Sequence, residues 1–74
     1  MQLFIKRVSN MIFIDNIDPS NTIEELKERL CKKNGIPVHQ QIFIVDGKIL
    51  ESHKTLYDYA IIDGKIITLV VHIN

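Results

Sequence analysis

The chain has a single cysteine, Cys31, among its 74 residues. One thiol cannot close an internal disulfide, and it cannot supply the ligands of a multi-cysteine zinc site. Glycine is also scarce: Gly35, Gly47 and Gly64 are isolated, so no glycine-rich loop is present to hold a phosphate. We therefore expect packing alone to hold the fold, with no metal and no cofactor.

An excess of one charge and long apolar runs are absent as well. Nine basic and nine acidic residues cancel, which argues against nucleic acid or an anionic membrane as a partner. No apolar run approaches the ~18 residues of a membrane span, and the chain does not start like a secretion signal. We expect a soluble protein of the cytosol or nucleus, monomeric, with weak self-association left open.

Groups suited to catalysis are scattered. His39, His53 and His72 have no second ligand at metal-binding spacing. Cys31 lies near the edge of a predicted helix stripe, and nothing in the pattern supplies it with a histidine partner or an oxyanion site. No pair of carboxylates converges on a plausible cleft. We predict no enzyme and no metal site, and we interpret Cys31 as a packing residue.

The first half of the chain predicts a β-hairpin followed by a helix. Apolar residues recur over residues 1–6 and 11–17, on either side of a turn. Thr22 and Glu25 form a capping box, which predicts a helix beginning near Ile23. Asn34 precedes a glycine and a nearby proline, so the helix should end there.

The second half predicts a further hairpin and a last strand. Strands are expected over residues 41–45 and 48–50 around a tight turn, and over residues 65–73 after a capped helical turn at residues 55–58. One helix with one apolar stripe naturally covers one face of a mixed sheet. The fold class is therefore α+β, a grasp-like roll of order ββαββ, short helical turn, β, with residues 1–74 as one domain.

Several segments then resemble ubiquitin at matching positions, without a gap. They are Met1-Gln2-Leu3-Phe4-Ile5-Lys6, Pro19-Ser20-Asn21-Thr22-Ile23-Glu24, Gly35-Ile36-Pro37, Gln40-Gln41, Asp46-Gly47-Lys48 and Thr55-Leu56-Tyr57-Asp58-Tyr59. The chain is identified as a ubiquitin-like domain, and the resemblance covers essentially its whole length. It implies a β-grasp roll and a protein-binding role in the ubiquitin–proteasome pathway.

The tail distinguishes the two classes of ubiquitin-like domain. Covalent modifiers are activated at a C-terminal diglycine, whereas this chain ends Val71-His72-Ile73-Asn74, with His72 where modifiers usually carry an arginine. The resemblance therefore implies a non-covalent module that docks on ubiquitin-recognising machinery such as the proteasome or a segregase. Two alternatives stay open: a modifier whose diglycine is absent from this fragment, and a scaffold domain with an unrelated private partner.

The resemblance also implies a docking patch for ubiquitin receptors on the outer face of the sheet. Its predicted members are Val8, Ile42, Ile44, Gly47, Thr68 and Val70, flanked by Lys6 and Lys48. Ile42 and Thr68 replace an arginine and a histidine that are usual in the family. We therefore expect a more apolar and less basic patch, which binds acidic helices more weakly.

Three further features carry predictions of their own. Phe4, Ile12 and Ile14 are predicted to face outward, with Ile66 adjacent; we prefer to interpret them as scattered surface hydrophobes, the alternative being a second docking or self-association surface. Asp15 stands where the family has an apolar core residue, which leaves a bulge or a register shift open. Lys27 lies beside the helix stripe, and Ser52, where the family usually has an acid, offers it only a neutral hydrogen bond.

Overall fold

The fold, in a computed structural model that describes residues 1–73, is a five-stranded mixed sheet crossed by one helix. The strands are β1 (Leu3–Lys6), β2 (Met11–Ile14), β3 (Gln41–Val45), β4 (Lys48–Ile49) and β5 (Lys65–Val71). The helix α1 covers Ile23–Asn34, and 3-10 turns cover Val38–Gln40 and Tyr57–Tyr59. Asn74, the last residue of the tail discussed above, lies outside the described residues.

The sheet order is β2-β1-β5-β3-β4. β1 pairs with β5 in parallel, and every other neighbouring pair is antiparallel. The helix packs its buried residues Ile23, Leu26 and Leu30 into the core. The predicted α+β roll and its element order are confirmed.

Local signals explain where α1 begins and ends. The Glu25 N–H donates to Thr22 Oγ1 at 3.1 Å, and the Thr22 N–H donates to Glu25 Oε1 at 2.8 Å. At the other end Gly35 adopts a left-handed φ of 78° and its N–H donates to the Cys31 carbonyl at 2.7 Å. The predicted helix bounds are thus confirmed. No helix in the described part of the chain is long and apolar enough to cross a membrane.

The hairpin between β3 and β4 positions the outer face. Asp46 and Gly47 both have positive φ, 51° and 78°, as a two-residue turn of this hand requires. This turn sets Ile44 opposite Ile49 and Val45 opposite Lys48. The strands β4 and β5 end one and two residues earlier than predicted, at Ile49 and Val71.

The second strand departs from its prediction in both extent and register. Predicted over residues 11–17, it ends at Ile14. Ile12 and Ile14 are only 5% and 2% exposed, so the prediction that they face outward was wrong. Ile12 pairs with Ile5 and Ile14 with Leu3. Directly opposite residues share a face of the sheet, so these two side chains follow β1 into the core.

The cause of the register lies at Asp15. The gap-free alignment would turn Phe13 and Asp15 inward, and a buried unpaired carboxylate is very costly. The observed register reverses the faces, as a one-residue shift does. Asp15 is exposed, Asn16 takes a left-handed φ of 55°, and Ile17 returns to the core. Met1 and Ile17 exchange backbone hydrogen bonds of 2.7 and 3.0 Å, so Asp15 and Asn16 together lie opposite Gln2 alone, which is a bulge. The structure therefore contains both features left open at Asp15, a bulge and a register shift.

Candidate functional site

The face of the sheet opposite α1 holds most of the predicted docking residues. Ile42 pairs with Val70, and Ile44 pairs with Thr68 on one side and Ile49 on the other. All of these side chains therefore point outward together. We define the Ile44 patch by its apolar members, which are Val8, Ile42, Ile44, Ile49 and Val70.

Exposure within the Ile44 patch rises from its centre to its rim. Ile42 and Ile44 are half-buried between neighbouring strands, whereas Val70 and Val8 are exposed. A shallow groove of about 220 Å³ brings Val8 and Val70 together with Lys6 and Thr68. The structure thus assembles an apolar surface with a cationic margin, which is suited to binding another protein.

Three residues near the β3–β4 turn qualify the predicted patch. Gly47 lies in the exposed turn next to it. Lys48 pairs with Val45, whose side chain faces the core, and lines a separate cleft with Tyr59 and Ala60. Ile49, 66% exposed, was missed in the sequence analysis. The two-residue turn was the available signal, since it places Ile49 directly opposite Ile44.

A second apolar group occupies another corner of the same face. Phe4 pairs with Phe13 across β1 and β2, with ring centroids 5.4 Å apart, and with Ile66 on β5. Phe13 and Ile66 are exposed by 40% and 51%, and Met11 lies exposed beside them. We define Phe4, Met11, Phe13 and Ile66 as the Phe4 patch. Of the predicted second surface, Phe4 and the adjacent Ile66 therefore remain, and Ile12 and Ile14 do not.

A polar row separates the two patches. Lys6 pairs with Thr68, and on β5 Thr68 lies between Ile66 of the Phe4 patch and Val70 of the Ile44 patch. Both Lys6 and Thr68 are exposed. The outer face therefore presents two distinct apolar areas.

The core holds an unusual pair of polar side chains behind this face. Lys27 is 9% exposed, and its Nζ donates to the Ser52 hydroxyl at 2.8 Å, as the sequence indicated. Gln41 donates from Nε2 to the carbonyls of Lys27 and Ile36, both at 2.9 Å. Gln41 Oε1 is buried without a protein partner among residues 1–73. These groups join α1 to β3 and the loop after β4, which makes their role structural.

The two carboxylates with a lowered pKa, Asp18 and Asp58, accept hydrogen bonds within turns and lie outside the two patches. Hydrogen bonds from the Ser20 N–H and hydroxyl to Asp18, at 2.9 and 2.7 Å, lower the pKa of that carboxyl. Hydrogen bonding from the Thr55 N–H, at 2.9 Å, lowers the pKa of Asp58. Within residues 1–73 no group of three His, Cys, Asp or Glu side chains is placed to hold a metal ion.

Comparison with known proteins relates this geometry to other chains. DSK2 of Saccharomyces cerevisiae, a ubiquitin domain-containing protein, is 44% identical over 55 residues, which are 74% of this chain and 15% of DSK2. The ubiquitin-like protein NEDD8 of Dictyostelium discoideum is 34% identical over 71 residues, 96% of this chain and 92% of NEDD8. The UV excision repair protein RAD23 homolog of the same organism is 31% identical over 71 residues and is spanned to 21% of its length.

These relatives fall into two size groups. This chain spans a small part of DSK2 and of the RAD23 homolog, but nearly all of NEDD8. The sequence profile of the ubiquitin family matches residues 3–74. The resemblance seen in the sequence is thereby confirmed, and the chain belongs to the ubiquitin family.

Proposed function

We propose that this domain is a non-covalent interaction module that docks on ubiquitin-recognising machinery, such as the proteasome or a segregase, through the Ile44 patch. The observation that carries the proposal is the row of apolar residues Ile42, Ile44 and Val70 on the outer face of β3 and β5. The match to part of the larger DSK2 and RAD23 proteins supports a domain that acts as part of a longer chain.

The energetics fit a weak and reversible partner. Burying apolar surface contributes roughly 25 cal/mol per Å², so a patch of a few hundred Å² contributes several kcal/mol before association costs. We expect micromolar affinity, about −8 kcal/mol. No step of this role requires a catalytic group, and we propose that the domain has no enzymatic activity and acts in the cytosol or nucleus.

The first test is an NMR titration of labelled protein with a panel of ubiquitin receptors. We expect saturable shifts at Val8, Ile44, Gly47 and Val70, and about a tenfold loss of affinity in Ile44→Ala, because a central anchor side chain is truncated. Ile66→Ala removes an exposed isoleucine from the same face and serves as the matched control. A panel without any response would favour a scaffold domain with a private partner.

The composition of the patch predicts which receptors bind best. Ile42 and Thr68 remove positive charge relative to the usual family pattern, so receptors that present an acidic helix lose favourable electrostatic contacts. We expect such a helix to bind this domain more weakly than ubiquitin, by about threefold to tenfold. Ile42→Arg should recover part of the difference; equal affinity for the two unmodified proteins would contradict the hypothesis.

A second candidate role is covalent modification. The observation that favours it is the NEDD8 match, which spans nearly the whole of both chains. Determining the encoded residues after Asn74 discriminates the two roles: a Gly-Gly pair near a processing site supports the modifier. An assay for thioester transfer from an activating enzyme then tests it directly.

A further inference from the structure

An apolar groove beside the 3-10 turn Tyr57–Tyr59 is the feature that the docking role leaves unused. Its volume is about 610 Å³, within the range of about 300–1,000 Å³ that is usual for ligand pockets. Tyr57 and Ile62 line it and are 77% and 71% exposed. The rest of its apolar lining consists of Met1, Pro19, Ala60 and Ile61. The groove shares no residue with the Ile44 patch or the Phe4 patch.

Backbone hydrogen bonds hold the segments that form the groove together. The Tyr57 N–H donates to the Pro19 carbonyl at 2.9 Å, which ties the 3-10 turn to the loop before α1. The Gly64 N–H donates to the Gln2 carbonyl at 2.8 Å, which ties the loop before β5 to the start of the chain. A ligand therefore meets a preformed site and loses little affinity to ordering it.

The charges at the groove are acidic. Asp63 is one of its lining residues, and the exposed Asp18 directly precedes Pro19. Within residues 1–73 no lysine or arginine lines the groove, and neither carboxylate forms an ion pair. The ammonium group of Met1 donates to the Ile17 carbonyl at 2.7 Å. Both carboxylates are therefore available to a cation on a ligand.

We propose that this groove binds a segment of a partner protein in which large apolar side chains are flanked by lysine or arginine. An amphipathic helix presents this pattern, with apolar residues three and four positions apart and cations beside them. The apolar side chains pack against Tyr57 and Ile62, and the cations lie beside Asp18 and Asp63. Burial of exposed apolar surface drives the association, and charge complementarity orients it.

A second copy of this chain fits the groove less well. Twofold pairing through the groove places the same surface of two copies in one interface. Asp18 and Asp63 of both copies would then lie together, and like charges repel. Charge complementarity therefore selects a basic partner segment.

The test uses two synthetic helical peptides with leucines at every third or fourth position, flanked by arginines in one and by glutamates in the other. We expect the arginine peptide to shift the NMR signals of Ala60 and Ile62 in labelled protein, and the glutamate peptide to leave them unchanged. Absence of shifts at these two residues with the arginine peptide would overturn the proposal. Shifts of the same signals on concentrating the protein alone would also overturn it, because they would identify a second copy as the occupant.

A matched pair of lysine substitutions tests the apolar contact. Ile62→Lys should lower the affinity for the arginine peptide about tenfold, because it removes an apolar wall and adds a repelling charge. Ile66→Lys makes the same change at an exposed position of β5 and should not lower it. Equal losses in the two variants would contradict the assigned site. Ile44→Ala should leave this peptide unaffected, so failure here is distinguishable from failure of the docking role.

The contribution of charge is tested at Asp63. Its Oδ1 accepts a hydrogen bond from the Gln2 N–H at 2.6 Å, and Asp63→Asn keeps an acceptor there while removing the charge. This variant should bind the arginine peptide about threefold more weakly. Glu28→Gln, which removes one negative charge at an exposed helix position, is the control and should bind as the unmodified chain does. Unchanged affinity in Asp63→Asn would refute the charge complementarity on which the proposal rests.

Discussion

The Ile44 patch and the Phe4 patch share one face of the sheet, but the family resemblance predicts the residues of the first better than those of the second. The Ile44 patch lies mainly on β3 and β5, where the predicted alternation of inward and outward residues matches the structure. The Phe4 patch includes β2, where the shift caused by Asp15 exchanges Ile12 and Ile14 for Met11 and Phe13. A single polar residue in a strand can thus redefine a surface whose fold is unchanged.

The largest expected effect comes from truncating one side chain on each face of β2. Ile12→Ala should lower the free energy of unfolding by about 3 kcal/mol, because it removes a buried side chain and leaves a cavity. Phe13→Ala, at a half-exposed site, should cost about 1 kcal/mol. Urea denaturation of both variants measures the difference. A larger loss of stability in Phe13→Ala than in Ile12→Ala would contradict the shifted register, because it would indicate that Phe13 lies in the core.

The contact between α1 and the loop after β4, made by Lys27 and Ser52, also differs from the usual family pattern. Ser52→Asp should raise the free energy of unfolding by about 1 kcal/mol, because an ionised acceptor replaces a neutral one at a nearly buried ammonium. Ser52→Asn, which is similar in size but uncharged, is the control. Equal stability of the two variants would show that a negative charge at position 52 does not strengthen the contact with Lys27.

The smallest expected effect compares the two turns that carry perturbed carboxylates. The pKa of Asp18, after β2, and of Asp58, before β5, is lower in the folded chain than its usual value. Each carboxylate therefore contributes stability at neutral pH that is lost as the pH falls below about 4. Asp18→Asn and Asp58→Asn should each flatten the acid limb of a stability–pH profile.

Glu28→Gln, at an exposed helix position, is the control for that profile. A limb as steep in both aspartate variants as in the unmodified chain would contradict the assigned hydrogen bonds. A flattening in only one of them would show which half of the sheet depends on its turn.

Much of the fold was predictable because its signals are local. The capping box at Thr22 and Glu25 fixed the start of α1, and Asp46-Gly47 fixed the β3–β4 turn. Matching positions to the family could not predict which residues of β2 face the core. That choice depends on whether burying the Asp15 carboxylate costs more free energy than shifting the pairing through the β1–β2 loop. Ile49 was missed for a related reason: its place beside Ile44 comes from pairing across the turn and not from its own strand's pattern.

The polar row of Lys6 and Thr68 also has a consequence for the behaviour of the protein in concentrated solution. By crossing the face between the two patches, it keeps each apolar area small, and small areas seldom drive aggregation. Replacing both Lys6 and Thr68 with isoleucine would join Met11 to Ile44 in one continuous apolar band. The solubility of this neutral chain thus depends on a short polar boundary as well as on its overall composition.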